Sequence, residues 1–398
     1  MKIKVGVLFG GKTVEHEVSI ISAMQAIAAF DEEKYEVIPI YVTKNSTMYS
    51  GIFMKDLDEY KNLDELLRKS YKVSLVNNNG VCQMIRYPKK LFTSEVVTDL
   101  DVIFPIVHGN NVEDGTVQGY LNLIDVPYVG PDITSSALGM DKYLTKLALK
   151  DKGLPVLDAK VYNINEDIDE IEKDIIKNIK LPVVIKPLNL GSSIGITKVR
   201  EKEELEEALT YAFSFSEKVL VEKAIMNLRE INCSVLGDFS EALASECEEP
   251  LNAVDILSYE DKYLGGKKGS KTSSKGMSSL VRKLPADITK KMKKEIQDLA
   301  IKSFHALGCS GVVRIDFMFD TKENKVYVNE LNTIPGSLSF YLWEASGVNY
   351  SELIDKLISL ALKRDREKKK IIYSFESNIL SGVSLKGIKG SKGTKGKF

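Results

Sequence analysis

The chain has 398 residues, of which 43% are hydrophobic and 28% are charged, and its formal net charge is -1 at pH 7. This length allows two or three domains, and the near-neutral charge gives no reason to expect nucleic acid or an anionic membrane as a partner. Four scattered cysteines without a C-x-x-C pair predict reduced thiols, and the three widely separated histidines argue against a zinc centre.

The first hundred-odd residues alternate strand patterns with a helical pattern. Apolar runs predict strands over 4–9, 35–42 and 101–109, and residues 17–30 predict a helix. This alternation predicts an α/β fold, with an open parallel sheet covered by helices. The first apolar run is too short for a signal-peptide core, and no segment approaches the ~20 apolar residues that span a bilayer. We therefore expect a soluble, cytoplasmic protein without membrane insertion.

Residues 6–13, GVLFGGKT, match the P-loop pattern G-x-x-x-x-G-K-[ST] between a predicted strand and a predicted helix. A P-loop needs loop backbone between its glycines, with amides turned towards the phosphate. Here the residues between Gly6 and Gly10 continue the apolar strand, so we interpret the match as a coincidence. Gly10, Gly11 and the following helix N-terminus could still bind an anion or a carboxylate.

A second unit begins after a helix predicted over 135–152, which ends at Gly153 and Pro155. Residues 259–284 are polar and rich in lysine and glycine, which predicts a mobile loop. The other elements predicted in this unit are strands over 181–187, 196–199, 218–225 and 229–238, and helices over 201–215 and 286–308.

Two alternating apolar runs, residues 312–320 and 326–336, flank a polar turn and predict a β-hairpin. Glu330 and Asn332 are two residues apart, so they share one face of their strand, and Asp316 can reach that face from the partner strand. Two carboxylates and an amide oxygen suit Mg²⁺ that carries nucleotide phosphates, and they do not suit zinc. The alternative is three polar residues on the solvent-facing side of a hairpin.

The loop KPLNLGSSIG, residues 186–195, lies between two predicted strands, unlike the strand-to-helix turn of a Rossmann or P-loop protein. Gly191 and Gly195 allow close backbone approach, the serines offer donors to phosphate oxygens, and Lys186 supplies a positive charge. A glycine-serine turn alone is a weak signal. Further candidates for nucleotide contacts are Lys142, Glu222, Lys223 and Glu230. For each of them the alternative is an ordinary surface charge.

Taken in order, these motifs resemble the D-alanine–D-alanine ligases of the ATP-grasp superfamily from about residue 3 to about residue 360. The motifs are Gly10-Gly11 with Glu15, His108-Gly109 with Glu113-Asp114-Gly115, Met140-Asp141-Lys142, Lys186-Pro187, Gly191 to Gly195, Lys262-Tyr263, and Arg314-Ile315-Asp316 with Glu330 to Gly336. The resemblance implies a Rossmann-like substrate-binding domain over 1–130 and an ATP-grasp domain, α+β in its C-terminal part, over 131–363. That domain would divide into 131–225 and a metal-binding part over 226–363, and residues 364–398 read as a disordered Gly/Lys tail.

The implied activity is the joining of two D-alanines with ATP for peptidoglycan synthesis, through a D-alanyl phosphate and with release of ADP and phosphate. Two Mg²⁺ or Mn²⁺ ions and a homodimer are further implications of the resemblance. The residues that match the family's catalytic positions are Glu15, Ser192, Tyr263, Arg314 and Gly336. Those that match the D-alanine contacts are His108, Ser339 and Leu342. The matching ATP contacts are Lys142, Lys186, Ser193, Glu222, Lys223, Ile225 and Glu230, and the matching metal ligands are Asp316, Glu330 and Asn332.

The sequence departs from the family pattern in ways that bear on the second substrate. Val112 replaces a usual glycine, and Tyr341 and Trp343 are bulkier than the residues expected after Gly336. Tyr263 favours an amine acceptor, because relatives that make D-alanyl-D-lactate have a histidine there. The alternatives are a ligase that uses D-serine or another amino acid as acceptor, and a nucleotide-binding protein that has lost catalysis.

Overall fold

The computed structural model describes residues 2–89, 94–191, 193–251 and 282–373. Its N-terminal domain contains a seven-stranded sheet in the order β6-β5-β4-β3-β2-β1-β7. The strands are β1 (Ile3–Gly10), β2 (Tyr35–Val42), β3 (Met48–Ser50), β4 (Tyr71–Asn78), β5 (Val81–Arg86), β6 (Val96–Leu100) and β7 (Val102–Ile106). Helices α1 (His16–Ala29), α2 (Leu63–Lys69) and α3 (Thr116–Leu123) belong to the same domain.

The expectation of a parallel sheet is right for β2, β1 and β7 and wrong for the other strands, which pair antiparallel. The physical reason is burial. Strand β7 is buried along its whole length, as parallel strands covered on both faces are, whereas β4 alternates buried and more exposed residues. A tight turn at Asn79-Gly80, both with positive φ, joins β4 to β5 as a hairpin.

The turn after β1 confirms that the P-loop match is a coincidence. Gly6 lies inside β1, where its neighbours pair with β2 and β7. Gly10 has φ +91°, and a Cβ there would lie 2.3 Å from the carbonyl oxygen of Val42. Only glycine fits that close approach, so the turn that delivers Glu15 and α1 depends on it.

Two helices precede the next sheet, and the single helix predicted over 135–152 is wrong. α4 (Ile133–Met140) and α5 (Lys142–Asp151) are separated by Asp141, whose backbone is extended and whose side chain accepts from the amides of Tyr143 and Leu144. An aspartate N-cap satisfies two donors at the start of α5 and so begins a new helix. The consequence is that Lys142 stands at the first position of α5.

The second sheet is antiparallel, in the order β10-β9-β11-β8. Its strands are β8 (Ala159–Asn163), β9 (Val183–Pro187), β10 (Thr197–Val199) and β11 (Lys218–Lys223), and its apolar core includes buried residues of α6 (Ile168–Asp174) and α7 (Leu205–Phe213). The predicted glycine-serine loop connects β9 to β10, as expected for the tip of a hairpin.

The third sheet is also antiparallel, in the order β14-β13-β12-β15-β16. Its strands are β12 (Leu228–Gly237), β13 (Ala242–Pro250), β14 (Arg282–Lys283), β15 (Gly311–Asp320) and β16 (Lys325–Asn332), and α8 (Lys290–Ala306) packs against it. The predicted hairpin is confirmed as β15 and β16. Asp316 lies opposite Glu330 and Arg314 opposite Asn332, so these four side chains share one face.

Two helices complete the described chain, α9 (Phe340–Glu344) and α10 (Tyr350–Lys368). α10 returns to the N-terminal domain, where Arg364 donates to the carbonyl oxygens of Gly130 at 2.6 Å and Tyr128 at 2.5 Å. Helical structure therefore continues past residue 364, where the tail was predicted to begin, and residues 374–398 lie outside the described residues. No helix within the described ranges is long and apolar enough to cross a membrane.

Candidate active site

One cavity, lined by residues of the second and third sheets and by Glu15, His108 and Glu113 from the first part of the chain, brings most of the predicted site residues together. Ser192 and Tyr263 lie outside the described residues. The predicted residues that line the cavity are Glu15, His108, Lys142, Lys186, Ser193, Glu222, Lys223, Ile225, Glu230, Arg314, Asp316, Glu330, Asn332 and Gly336. Ser339 and Leu342 do not line it.

The hairpin of β15 and β16 forms the acidic part of this cavity. Arg314 donates from Nε and Nη2 to the two carboxylate oxygens of Asp316, at 2.6 and 2.7 Å, and Asn332 donates to Asp316 at 3.1 Å. Burial lowers the pKa of Arg314, but the adjacent Asp316 more than offsets this and raises it well above its ordinary value. Arg314 is therefore a permanent cation beside the carboxylates.

Two phosphate candidates, Lys142 and Lys186, approach the same region from different elements. The Lys142 ammonium is 3.9 Å from the Glu330 carboxylate and donates to the carbonyl oxygen of Leu190 in the glycine-serine loop. Lys186, at the end of β9, donates to the side-chain oxygen of Asn329 at 3.2 Å. The structure thus brings two cations and the acidic hairpin into one space, where phosphate groups would be neutralised from both sides.

Glu222 is predicted to contact adenine, and in the structure its carboxylate pairs with two lysines. It is 1% exposed, with one oxygen 2.5 Å from Lys186 Nζ and the other 2.8 Å from Lys146 Nζ. Burial raises the pKa of Glu222, but the two lysines lower it to about 2. Burial lowers the pKa of Lys146. Sequence reasoning missed Lys146, although its i,i+4 spacing from Lys142 on α5 places both on one helix face.

The remaining adenine and ribose candidates lie along β11 and β12. Lys223 ends β11 and donates to the carbonyl oxygens of Lys180 and Leu181, at 2.9 and 2.8 Å. Ile225 follows β11 and Glu230 lies on β12, and both line the cavity.

Glu15 lies between the loops of Gly109 and Gly191 at the N-terminus of α1. A Cβ on Gly109 would lie 2.8 Å from a Glu15 carboxylate oxygen, and a Cβ on Gly191 would lie 2.9 Å from it. Glycine at both positions is what allows the two loops to close on this carboxylate. The carboxylate therefore faces both the N-terminal domain and the glycine-serine loop.

His108 and Glu113 fix the loop of the HGNNVEDG motif against the end of β16. His108 Nδ1 is 2.8 Å from the carbonyl oxygen of Ile334, and burial lowers its pKa to about 4, so the neutral ring donates from Nδ1. Glu113, which sequence reasoning left without a role, accepts from the amides of Gly109 and Ile334 at 2.9 and 2.8 Å. Burial raises the pKa of Glu113 to about 7. These contacts hold the backbone that leads to Gly336.

Ser339 and Leu342, the two residues expected beyond Gly336, do not line the cavity. Ser339 is fully buried, and Leu342 packs in a small apolar cluster. The cavity is lined instead by Glu248 and Arg282, which no sequence motif indicated. Tyr341, whose bulk the sequence did indicate, donates to Glu248 at 3.0 Å.

Comparison with known proteins gives matches over both domains. The family described as D-ala D-ala ligase N-terminus matches residues 4–131, and that described as D-ala D-ala ligase C-terminus matches residues 148–359. A D-alanine–D-alanine ligase from Thermosipho melanesiensis is 42% identical over 381 residues, 95% of this chain and 98% of the relative. One from Caldicellulosiruptor bescii is 42% identical over 389 residues, 94% of this chain and 99% of the relative.

Solved structures agree with these relatives. The D-alanine-D-alanine ligase from Coxiella burnetii has a TM-score of 0.76 and 30% identity, over 93% of this chain and 96% of that one. The D-Ala:D-Ser ligase from Enterococcus faecalis has a TM-score of 0.76 and 31% identity, over 91% of this chain and 100% of that one. The expected α/β fold with its ATP-grasp part is confirmed, and the chain belongs to the D-alanine–D-alanine ligase family.

Proposed function

We propose that this chain joins two D-alanines with ATP through a D-alanyl phosphate, for peptidoglycan precursor synthesis. The observation that carries the proposal is a single cavity that combines Glu15, two phosphate-facing lysines and the Arg314–Asp316 hairpin. Family membership supports ATP as co-substrate and D-alanine as substrate.

We propose Asp316, Glu330 and Asn332 as ligands of Mg²⁺ or Mn²⁺, and two ions as the family resemblance implies. The donor set fits these metals, because Mg²⁺ is usually held by one or two carboxylates, with substrate phosphates completing the shell. The register pairing of Asp316 with Glu330 supports the assignment, since it directs both carboxylates to one face. When bound there, a divalent cation would neutralise negative charge on the transferred phosphoryl group.

In the first step, the carboxylate of the first D-alanine attacks the γ-phosphorus of ATP, the bond to the β,γ-bridging oxygen breaks, and D-alanyl phosphate and ADP result. Glu15 pairs with the ammonium of that D-alanine, because it is the buried carboxylate between the Gly109 and Gly191 loops. Lys142 and Lys186 hold phosphates. Phosphoryl transfer needs little covalent assistance and much positioning, so these fixed charges are the main contribution of the chain.

In the second step, the amine of the second D-alanine attacks the acyl carbon and loses a proton, and negative charge develops on the former carbonyl oxygen. The tetrahedral intermediate then expels phosphate as the peptide bond forms. Arg314 and the backbone N–H of Gly336 stabilise that oxygen. Two features support this role: Asp316 holds the Arg314 guanidinium at two points, and His108 holds the carbonyl of Ile334 just before Gly336. Removal of one oxyanion donor typically costs about a hundredfold or more in rate.

Further assignments follow from the family resemblance. Glu222, Lys223, Ile225 and Glu230 contact adenine and ribose, and Ser193 contacts phosphate. Ser192 and Tyr263, which lie outside the described residues, would act together with Glu15 in the reaction. Cytoplasmic location and a homodimer are part of the same proposal, and light scattering coupled to gel filtration tests the dimer.

Product analysis tests the proposed function. The enzyme is incubated with ATP and Mg²⁺, first with D-alanine alone and then with D-alanine and a panel of second amino acids that includes D-serine. We expect D-alanyl-D-alanine with one phosphate released per dipeptide. Products formed only with D-serine would instead favour a D-Ala:D-Ser ligase, an alternative supported by the similarity to the Enterococcus faecalis enzyme. ATP binding without turnover across the panel would favour a protein that has lost catalysis.

A further inference from the structure

A row of polar side chains crosses the third sheet, and its two ends distinguish two ends of the cavity. Glu248 on β13 pairs in register with Asn232 on β12, Asn232 pairs with Asp316 on β15, and Asp316 pairs with Glu330 on β16. Residues directly opposite one another in antiparallel strands point to the same face. Since strands lie about 4.8 Å apart, Glu248 and Glu330 mark the two ends of a row that spans about 14 Å.

The two ends of the row carry different cations. Lys142 is 3.9 Å from Glu330, at the end where we propose that the phosphates bind. At the other end, Arg282 lies opposite Pro250, two residues along β13 from Glu248, and its Nη1 donates to Glu248 at 2.7 Å. Arg314, the oxyanion donor, belongs to β15 between these ends. Along the sheet the order is therefore phosphate site, acyl carbon, Arg282.

That order constrains the second substrate. An α-amino acid carries its carboxylate two bonds from the attacking nitrogen, so the carboxylate must lie a few ångströms beyond the acyl carbon. Six cationic residues line the cavity within the described ranges: Lys142, Lys186, Lys198, Lys223, Arg282 and Arg314. Lys142, Lys186, Lys198 and Lys223 belong to α5 or to the second sheet, and Arg314 is already assigned to the oxyanion of the second step. Among these six, Arg282 is the one that lies on the far side of Arg314 from the proposed phosphate site.

We infer that Arg282 binds the carboxylate of the second D-alanine and thereby selects an amino acid as the acceptor. The inference rests on the proposed function and deepens it. A guanidinium matches the geometry of a carboxylate and can donate two parallel hydrogen bonds to it. It also takes the place in the reaction that had been expected for Ser339, which does not line the cavity.

Glu248 and Tyr341 are positioning residues for Arg282. The Arg282 guanidinium carbon lies 3.9 Å from the centre of the Tyr341 ring, and its side chain is 10% exposed. The Tyr341 hydroxyl donates to Glu248, which also accepts from Asn232 at 3.0 Å. These contacts hold the guanidinium in one orientation before the acceptor arrives, which reduces the entropy lost on binding.

A competition between two acceptors tests the inference. Enzyme, ATP and Mg²⁺ are incubated with a mixture of D-alanine and D-alaninamide. D-alanine serves as the donor, and the two compounds compete as the acceptor. The products, D-alanyl-D-alanine and D-alanyl-D-alaninamide, are measured by mass spectrometry. D-alaninamide has the same amine and methyl group but no carboxylate. The product ratio gives the relative kcat/KM of the acceptors and does not depend on how much enzyme is folded.

We expect Arg282→Met to shift the product ratio towards the amide by roughly tenfold to a hundredfold, the worth of one charge-assisted hydrogen bond. Arg282→Lys should shift it less because the charge remains, and Glu248→Gln should give an intermediate shift. Arg229→Met is the matched control. Arg229 makes a similar ion pair with Glu249, at 2.7 Å, but does not line the cavity, so the ratio should not change.

The outcomes separate this inference from the proposed function. Wild-type enzyme that makes D-alanyl-D-alanine, with an unchanged product ratio in both Arg282→Met and Glu248→Gln, would overturn the role of Arg282 and leave the proposed function standing. An equal shift in Arg229→Met would also overturn it, because the effect would not be specific to the cavity. Wild-type enzyme that makes no D-alanyl-D-alanine would overturn the proposed function, and this inference with it.

Discussion

The buried charge cluster of Lys146, Glu222 and Lys186 gives a quantitative prediction about stability. Glu222 is 1% exposed and sits between the two ammonium groups at 2.8 and 2.5 Å. Replacing Glu222 with Gln would leave two buried lysines without their shared counter-charge. Replacing Lys146 with Met would leave Glu222 still paired with Lys186. The two variants remove the same contact from opposite sides, yet their costs should differ.

The magnitudes follow from what each variant leaves buried. Breaking a buried ion pair by removal of one partner typically costs about 3–5 kcal/mol, because an uncompensated charge remains. We expect Glu222→Gln to fall in that range. Lys146→Met should cost less, about 1.5–3 kcal/mol, the range for a hydrogen bond to a charged group. A matched control is Lys150→Met on the same helix, because Lys150 pairs with Asp158 at 2.6 Å on the surface. That control should cost little, because both groups are exposed and solvent screens their attraction.

Urea unfolding measures these free energies, with circular dichroism and fluorescence followed together to check that the transitions coincide. The order of destabilisation should be Glu222→Gln, then Lys146→Met, then Lys150→Met. If Glu222→Gln and Lys150→Met cost the same, the carboxylate is not a buried counter-charge. If Lys146→Met costs more than Glu222→Gln, the charge balance of the cluster has been assigned wrongly.

Three further predictions concern pH, catalysis and packing. The pKa of Glu222 is lowered from 4.5 to about 2, so the stability that its carboxylate contributes is present above pH 4.5 and is lost as the pH falls towards 2. The difference in unfolding free energy between wild type and Glu222→Gln should therefore shrink below pH 4.5. A difference that stays constant with pH would contradict this prediction. Glu330→Ala should lower turnover about a hundredfold or more while leaving the unfolding midpoint within a few degrees, and retained turnover in a steady-state assay would show that the metal site is misplaced. Gly191→Ala should raise the KM for the first D-alanine in initial-rate measurements, because a Cβ there would lie 2.9 Å from a Glu15 oxygen. Gly119→Ala is the control and should leave this KM unchanged, because a Cβ there would have nothing within 4 Å. The same KM in both variants would refute the contact.

The local features of the fold could be predicted from the sequence because they depend on period and turn chemistry. The hairpin carrying Asp316 and Glu330 is an example, since alternation of apolar residues and a short polar turn fix its register. The parallel strands of the N-terminal domain were recognised for the same reason. The antiparallel pairing of β3 to β6 could not be predicted, because strands such as β3 have three residues and their pairing depends on tertiary contacts.

The parts of the site that were missed depend on partners far apart in the sequence. Glu248 and Arg282 are 34 residues apart, and no spacing rule connects them. Lys146, on α5, acquires its role only because the fold brings it next to Glu222 on β11. Glu113 likewise accepts from an amide that lies 221 residues away. Such contacts follow from the packing of elements, which single-sequence patterns do not specify.

The most direct test of the account is the position of the divalent cation. Crystals grown with a non-hydrolysable ATP analogue and Mn²⁺ would show the metal by its anomalous scattering. We expect the anomalous peaks between the carboxylates of Asp316 and Glu330, with the terminal phosphates of the nucleotide in the same coordination shell. A bound nucleotide whose metal lies away from these two carboxylates would contradict the account.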